Sequence, residues 1–347
     1  MMRKGFVALI LAAGGASACS NFLLAQNALN LTISGRTMDL GFWEQFSVRA
    51  VPPGPEKKSA FGFLAIYPTV DESMRGLSHM VTAGINTAGL SCDMQTLLGT
   101  KYPAFPSDRR TEAIPVTRFC EWVLESFSSA SEVGAALAPA SKEAPAAASI
   151  YGPSDFADHF VVRDSEGMSL VVEFLEGKTV LSSDANDGVT GFGIMTNEPE
   201  FSWHLTNTKH LEWKKTLARA AVAVPGGFYP DERFLRLHLL KQGLPAPVSY
   251  KQAVMQAVTL LDSVTVPPGE QPATDSGEGE GQGDHTVFAL IYDHASPALF
   301  WRTVADQSLQ KVSLPDLPNL YLQGASVSSL TLINDLPWFR DAASQLL

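Results

Sequence analysis

The chain reads CSNFLL over residues 19–24 and LTISGRTMD over residues 31–39. Both runs are apolar or alternate between apolar and polar positions, which is typical of β-strands, and the Gln-Asn pair at 26–27 suits a turn between them. A hairpin of this kind returns the chain to its own start. We therefore expect Arg36 and Asp39, near the end of the second strand, to lie close to Cys19.

The residues before this hairpin have the features of a cleavable export signal. Arg3 and Lys4 form a basic start, residues 6–13 are apolar, and Ala-Ser-Ala at 16–18 matches the small-x-small pattern that signal peptidases cut. The apolar run is about half as long as a membrane span requires. We expect residues 1–18 to be removed and the mature protein, beginning at Cys19, to be exported to the periplasm or secreted.

An N-terminal cysteine allows three interpretations at this stage. Its thiol could be a nucleophile that uses its own α-amine, with a pKa of about 7.7–8.0, as the base. Arg36 would then favour the thiolate, and Asp39 would hold the ammonium. Alternatively, Cys19 could be lipidated and anchor a binding protein, although Ala16 stands where the lipidation signal prefers a Leu-like residue. The third interpretation is an inert thiol that falls near the cleavage site by coincidence.

Composition excludes several broad classes of function. The 347 residues include 25 Lys and Arg against 36 Asp and Glu, so the net charge is −11, and removal of Arg3 and Lys4 makes it −13. An acidic chain lacks the surplus of cations that non-specific nucleic-acid binding needs. No apolar run reaches the ~20 residues of a membrane helix, which excludes a polytopic membrane protein. An apolar content of 45% excludes global disorder.

Hydrophobic periodicity predicts runs of strands with helices grouped between them, so we assign the chain to the α+β class with layered sheets. Residues 267–284 are rich in Gly, Glu and Pro and are predicted to form a flexible insertion loop. Further strands are predicted at 48–51, 61–67, 79–84, 90–94, 159–163, 169–174, 286–292, 298–303 and 310–312. Helices are predicted at 116–127, with Pro115 in the first turn, and at 129–137, 233–240 and 251–261.

Other kinds of site have weak support in the sequence. Cys92 and Cys120 fall in a strand and on a helical apolar stripe, so we interpret them as small buried hydrophobic residues rather than as disulfide partners. His204 and His210 lack the i, i+4 spacing of a helical zinc pair, and we expect no metal site. No Gly-x-Ser-x-Gly elbow and no phosphate-binding loop is present.

Five motifs, taken in order, resemble the choloylglycine hydrolase family, which contains bile salt hydrolases and penicillin V acylases. CSNF at 19–22 with RTMD at 36–39 resembles the family's N-terminus, and GINTAGL at 84–90 is similar to its GMNEKGL. TNEPEFSW at 196–203 is similar to TNSPxFxW, RFLR at 233–236 to RFxR, and WRT at 301–303 to a late strand. The motifs extend over nearly the whole mature chain.

This resemblance implies a four-layer αββα sandwich of the N-terminal-nucleophile hydrolases, as a single domain over residues 19–347. It implies that Cys19 attacks an amide carbonyl and forms a thioester acyl-enzyme. Asp39 would hold the α-amine, and Arg36 would stabilise the thiolate and contact the substrate. Asn197 would donate its side-chain amide to the oxyanion, and Arg233 would complete the charged network.

The resemblance also places a second oxyanion donor, a backbone N–H, at Thr96, where family members have Asn or Tyr. The implied substrates are small acyl amides: conjugated bile salts, penicillin V or N-acyl homoserine lactones. No cofactor is implied, because nucleophile, base and oxyanion donors all come from the chain. A homo-oligomer, a tetramer by resemblance, is expected, and membrane attachment only if Cys19 is lipidated. A catalytically silent binding protein of the same fold is the other alternative.

Overall fold

The structure, a computed structural model, describes twelve stretches of the chain, and the statements below concern these stretches. They are residues 19–24, 29–40, 45–54, 60–69, 79–108, 110–138, 147–153, 156–183, 193–218, 222–269, 284–316 and 329–331. The predicted export signal at 1–18 lies outside the described residues, as does the predicted insertion loop except for residues 267–269 and 284. The single domain over 19–347 likewise stays a prediction, because the end of the chain is only partly described.

Sixteen strands and five α-helices occur within the described residues. The strands are β1 Ser20–Leu24, β2 Ile33–Leu40, β3 Gln45–Val51, β4 Phe63–Thr69, β5 Ala83–Asn86, β6 Ser91–Thr96, β7 Glu112–Pro115, β8 Ala148–Tyr151, β9 Asp158–Arg163, β10 Ser169–Leu175, β11 Lys178–Ser183, β12 Ile194–Thr196, β13 His285–Asp293, β14 Ala298–Thr303, β15 Gln310–Ser313 and β16 Ser329–Thr331. The helices are α1 Phe119–Ser126, α2 Ala130–Leu137, α3 Phe201–Ala218, α4 Pro230–Gly243 and α5 Tyr250–Val264.

Two antiparallel sheets form the centre of the molecule. The six-stranded sheet has the order β12-β1-β2-β13-β14-β15, and the eight-stranded sheet has the order β11-β10-β9-β6-β5-β4-β3-β16. The short strands β7 and β8 pair in parallel as a separate ribbon. The hairpin predicted from residues 19–39 is confirmed, with Ser20 opposite Thr37 and Leu24 opposite Ile33.

Three apolar clusters show how the layers stack. Phe119, Val123 and Leu124 of α1 pack on the outer face of the eight-stranded sheet, and Phe234 and Leu261 of α4 and α5 pack on that of the six-stranded sheet. The third cluster lies between the sheets and includes Met38, Leu64, Ile66 and Leu290. Helix, sheet, sheet and helix thus form four layers, as the resemblance implies.

Local sequence explains where several helices begin. The Ser129 hydroxyl accepts a hydrogen bond from the Glu132 N–H at 3.3 Å before α2, and Ser249 does the same for Gln252 at 3.2 Å before α5. The 116–127 prediction is correct only in part. Pro115 ends β7, and a single 3-10 turn at Val116–Arg118 separates it from α1.

Two elements differ from the sequence expectation. Helix α3 was not predicted, because its apolar residues lie on both its buried and its exposed sides: Leu211 is buried whereas Trp203 and Trp213 are largely exposed. A helix without one apolar face gives no 3.6-residue stripe. The strand predicted at 79–84 begins only at Ala83, although the Thr82 backbone already bonds to Ile66 and to Met94 on either side.

The interpretation of Cys92 and Cys120 as unpaired buried thiols is wrong. Both are buried, but they form a disulfide between β6 and α1, with their Cα atoms 5.3 Å apart. Sequence periodicity placed each residue on an apolar face without showing that the two faces meet. Since the sequence contains three cysteines, this pairing leaves Cys19 as the free thiol.

Asp158 at the start of β9 provides a test of how burial affects stability. It is fully buried, neither side-chain oxygen has a hydrogen-bond partner among the described residues, and burial raises its pKa to about 7. Because this value exceeds that of the unfolded chain, the carboxyl favours folding below about pH 4, and that contribution is lost as the pH rises through 7.

We expect Asp158→Asn to increase the free energy of unfolding at pH 8 by up to about 4 kcal/mol, since each pKa unit corresponds to about 1.4 kcal/mol. Near pH 4 the variant and the parent should be equally stable. Urea unfolding at both pH values measures this difference. Asp164→Asn is the matched control. The buried Asp164 carboxyl accepts hydrogen bonds from the N–H groups of Ala130, Glu166 and Met168, so this variant should be less stable than the parent. An Asp158→Asn variant less stable than the parent at pH 8 would contradict this prediction.

Candidate active site

The sheet register brings the expected site residues to one end of the six-stranded sheet. Ser20 lies opposite Thr37 on one side and opposite Thr196 on the other. Cys19 therefore lies between the end of β2, which carries Asp39, and the residue after β12, which is Asn197. Arg233 enters from the first turn of α4, which packs on this sheet. Residues distant in sequence thus converge on the start of β1.

The Cys19 thiol lies inside the protein with a cation beside it. The residue is 2% exposed, and its Sγ is 3.7 Å from Met38 Sδ and 3.9 Å from Arg36 Nη2. Burial raises the pKa of the thiol, and the charges of Arg36 and Arg233 oppose that rise. The thiol therefore depends on these two cations to become a thiolate.

Asp39 is a buried carboxyl close to the end of β2. Thr286 donates a hydrogen bond to Oδ1 at 2.5 Å, and Thr37 donates one to Oδ2 at 3.3 Å. Burial raises the pKa of Asp39 to about 7, although Arg233 and the two threonine hydroxyls lower it. A positive charge placed at the Cys19 nitrogen would favour the ionised form of this carboxyl.

Asn197 and Arg233 form one hydrogen-bonded unit behind Cys19. Arg233 Nη1 donates to the Cys19 carbonyl at 2.7 Å and to Ser20 Oγ at 2.5 Å, and Nη2 donates to Asn197 Oδ1 at 3.3 Å. Asn197 Nδ2 donates to the Thr96 carbonyl at 2.9 Å. Both ends of the Asn197 amide are therefore held, and one of its two N–H groups is not used in these contacts.

Thr96 lies beside Asn197, at the end of β6 on the eight-stranded sheet. The contact that joins them uses the Thr96 carbonyl, and Thr96 itself is buried. The role expected of its backbone N–H as a second oxyanion donor stays a prediction. The remaining expected site residues are brought together: Cys19, Arg36, Asp39, Asn197 and Arg233 are all buried around the start of β1.

The sequence did not point to two buried polar residues that contact the site, Asp93 and His204. Asp93 of β6 lies 3.6 Å from Arg36 Nη1 and accepts a hydrogen bond from the Tyr292 hydroxyl at 2.6 Å. An aspartate within the predicted strand 90–94 was the available signal, since a buried carboxylate needs a partner. His204 was also missed as a support: its ring lies 3.2 Å from the Asn197 carbonyl and stacks on Phe234.

The sequence model of the linear amide C–N hydrolases, choloylglycine hydrolase family, matches residues 19–327. The chain belongs to the choloylglycine hydrolase family. The match begins at the residue around which the candidate site is built.

Individual relatives of this choloylglycine hydrolase family member are distant in sequence. A bile salt hydrolase/transferase of Clostridium perfringens is 30% identical over 46% of this chain, and the alignment covers 52% of that relative, about half its length. A penicillin V acylase of Pectobacterium atrosepticum is 22% identical over 85% of this chain and 83% of that protein. The choloylglycine hydrolase relatives thus include one named for bile salts and one named for penicillin V.

A solved structure of a mutant conjugated bile acid hydrolase from Clostridium perfringens matches with a TM-score of 0.67. It is 20% identical and covers 90% of this chain and 96% of that one. At this level of identity the likeness concerns the fold, and it confirms the four-layer αββα sandwich. The choloylglycine hydrolase fold places the start of β1 inside the molecule, where the candidate site lies.

The described residues give no sign of a metal centre or a membrane span. No cluster of three or more His, Cys, Asp or Glu side chains among them could hold a metal ion, and none of their helices is long and apolar enough to cross a membrane. The site as described consists of a thiol, a carboxyl, two guanidinium groups and a side-chain amide. Such groups can supply a nucleophile, a proton acceptor and an oxyanion donor for acyl transfer.

Proposed function

We propose that the mature protein is an exported amidase that hydrolyses a linear, non-peptide C–N amide of an N-acylated small amine. The observation that carries this proposal is the placement of the Cys19 thiol, whose Sγ lies 3.9 Å from Arg36 Nη2. Asp39, Asn197 and Arg233 are buried around the same residue. Family membership supports the reaction class. No cofactor takes part in the proposed reaction.

The first step of the proposed mechanism is the formation of the nucleophile. Cleavage after Ala18 frees the α-amine of Cys19, whose pKa of about 7.7–8.0 suits it to accept the thiol proton. Arg36 stabilises the resulting thiolate, and Asp39 holds the ammonium. Arg233 fixes the Cys19 carbonyl at 2.7 Å and thereby orients the new terminus.

Acyl transfer then follows in two halves. The thiolate forms a C–S bond to the amide carbon, and the carbonyl oxygen becomes an oxyanion that accepts hydrogen bonds from Asn197 Nδ2 and from the Thr96 backbone N–H. The ammonium returns its proton to the leaving amine as the C–N bond breaks. Water, deprotonated by the same amine, attacks the thioester and releases the acid and the free thiol.

The substrate class is tested with the mature protein and a panel of three acyl amides. Candidates are a glycine-conjugated bile salt, penicillin V and an N-acyl homoserine lactone, and the released amine is quantified in each case. We expect hydrolysis of at least one of them. Failure of the mature, correctly processed protein to release amine from any of the three would contradict the proposed function.

A further inference from the structure

The guanidinium of Arg36 is shared between the Cys19 thiol and the Asp93 carboxyl. Nη2 faces the sulfur atoms, at 3.9 Å from Cys19 Sγ and 3.5 Å from Met38 Sδ. Nη1 faces the other way, donating to the Thr82 carbonyl at 2.8 Å and lying 3.6 Å from Asp93 Oδ1. The cation that stands beside the thiol is thus also paired with a carboxylate from the opposite sheet.

Asp93 is held in its position by neutral donors. Tyr292 of β13 donates to Oδ1 at 2.6 Å, and Asn21 of β1 donates to Oδ2 at 2.6 Å. Asp93, Asn21, Tyr292 and Arg36 are all completely buried. Burial raises the pKa of Asp93, and the charge of Arg36 and the hydrogen bonds from Tyr292 and Asn21 oppose that rise. The ionised carboxylate acts strongly on Arg36, because both groups are completely buried and 3.6 Å apart.

We propose that Asp93 is a positioning residue that competes with the Cys19 thiolate for Arg36 and so limits the fraction of thiol that is ionised. This inference rests on the proposed role of Cys19 as the nucleophile. A thiolate that is too stable is a weaker nucleophile, because nucleophilicity falls with the basicity of the sulfur. Asp93 thus keeps the thiol able to exchange its proton with the adjacent α-amine.

Further charged groups act on the Cys19 thiol and on Asp93. Arg36 and Asp39 on β2 and Arg233 on α4 face the thiol, and Asp284 acts on Asp39 and Arg233. Arg163 of β9, which donates to the Gly193 carbonyl at 2.8 Å, acts on Asp93 together with Arg36. Among Asp39, Asp93 and Asp284, Asp93 forms the ion pair with Arg36. Removal of the Asp93 charge is therefore expected to act on the thiol through Arg36.

The variant Asp93→Asn removes the charge and can be accommodated in place. Asn21 Oδ1 has no hydrogen-bond partner among the described residues, so a rotated Asn21 amide can accept from the new side chain. The Tyr292 hydroxyl can still donate to the amide oxygen. Asp93→Ser removes the same charge without introducing an amide and serves as the second variant.

The test is the rate of alkylation by iodoacetamide, measured between pH 5 and pH 10 on mature proteins beginning at Cys19. Cys92 and Cys120 are disulfide-bonded, so the reaction reports Cys19. We expect both variants to lower the midpoint of the pH profile by about half a pH unit or more, which is at least about threefold faster alkylation at pH 6. The plateau rate at high pH should be lower than in the parent.

Asp306→Asn is the matched control, because Asp306 is also buried, accepts the Ser308 N–H at 2.8 Å and lies outside the network of Arg36. A midpoint that is unchanged or raised in a folded Asp93 variant would overturn the inference, since a purely structural role changes stability without lowering the midpoint. Alkylation does not depend on amide turnover. A lowered midpoint in a protein that hydrolyses no amide would therefore support this inference and contradict the proposed function.

Discussion

Replacement of Cys19 by alanine is expected to reduce kcat/KM for the amide substrate by at least about 10⁴-fold. The proposed reaction passes through a thioester on Sγ, and the remaining groups of the site can only bind and polarise the substrate. The structure should survive the change, because the contacts of Sγ with Met38 at 3.7 Å and with Arg36 at 3.9 Å are long. Amine release at substrate concentrations well below KM measures the loss.

A matched control for this variant lies in the same hairpin. Ser34→Ala removes a buried hydroxyl from β2 that lies 2.7 Å from His294 Nε2, away from the thiol. It should lower the melting temperature while each folded molecule keeps its turnover. Hydrolysis by Cys19→Ala at the parent rate would show that another group is the nucleophile.

Replacement of Asn197 by alanine is expected to have the next largest effect, a loss of about 10²–10³-fold in kcat with little change in KM. A preorganised side-chain amide stabilises the oxyanion mainly in the transition state, where the charge develops. The iodoacetamide reactivity of Cys19 should be retained, because the variant keeps the thiol and Arg36. Single-turnover acylation and thiol alkylation, measured on the same preparation, separate these effects.

Asn86→Ala is the matched control for the loss of a buried asparagine amide. The Asn86 side chain donates to the carbonyls of Leu124 and Phe127 and accepts the N–H groups of Ala88 and Leu90, far along the chain from the thiol. It should destabilise the fold and leave the turnover of folded molecules unchanged. An Asn197→Ala enzyme with parental kcat would rule out the oxyanion role of that side chain.

The parts of the fold that could be predicted from the sequence are those formed by neighbouring segments of the chain. The hairpin of β1 and β2 could be predicted because its two strands are adjacent in the chain, and strand pairing then fixes Arg36 and Asp39 near Cys19. Asn197 and Arg233 could be placed near Cys19 only through the family resemblance. No pattern within β12 or α4 indicates which end of another strand they approach.

The contacts that the sequence did not reveal join different layers of the fold. Asp93 reaches Arg36 from the opposite sheet, and Cys92 reaches Cys120 from the strand beneath α1. Such contacts depend on how two faces stack, which periodicity does not encode. Helix α3 was missed for a different reason, because apolar side chains on its exposed side hid the stripe that faces the core.

The intact mass of the mature protein, with peptide mapping of its first residue, tests the central claim most directly. The protein is exported from a host with its own residues 1–18, purified, and measured alone and after rapid quenching with an amide substrate. We expect a chain that begins with unmodified Cys19 and gains the mass of the acyl group on that residue during turnover. A lipidated Cys19, or a chain that begins at any other residue, would contradict the claim that Cys19 is an N-terminal nucleophile.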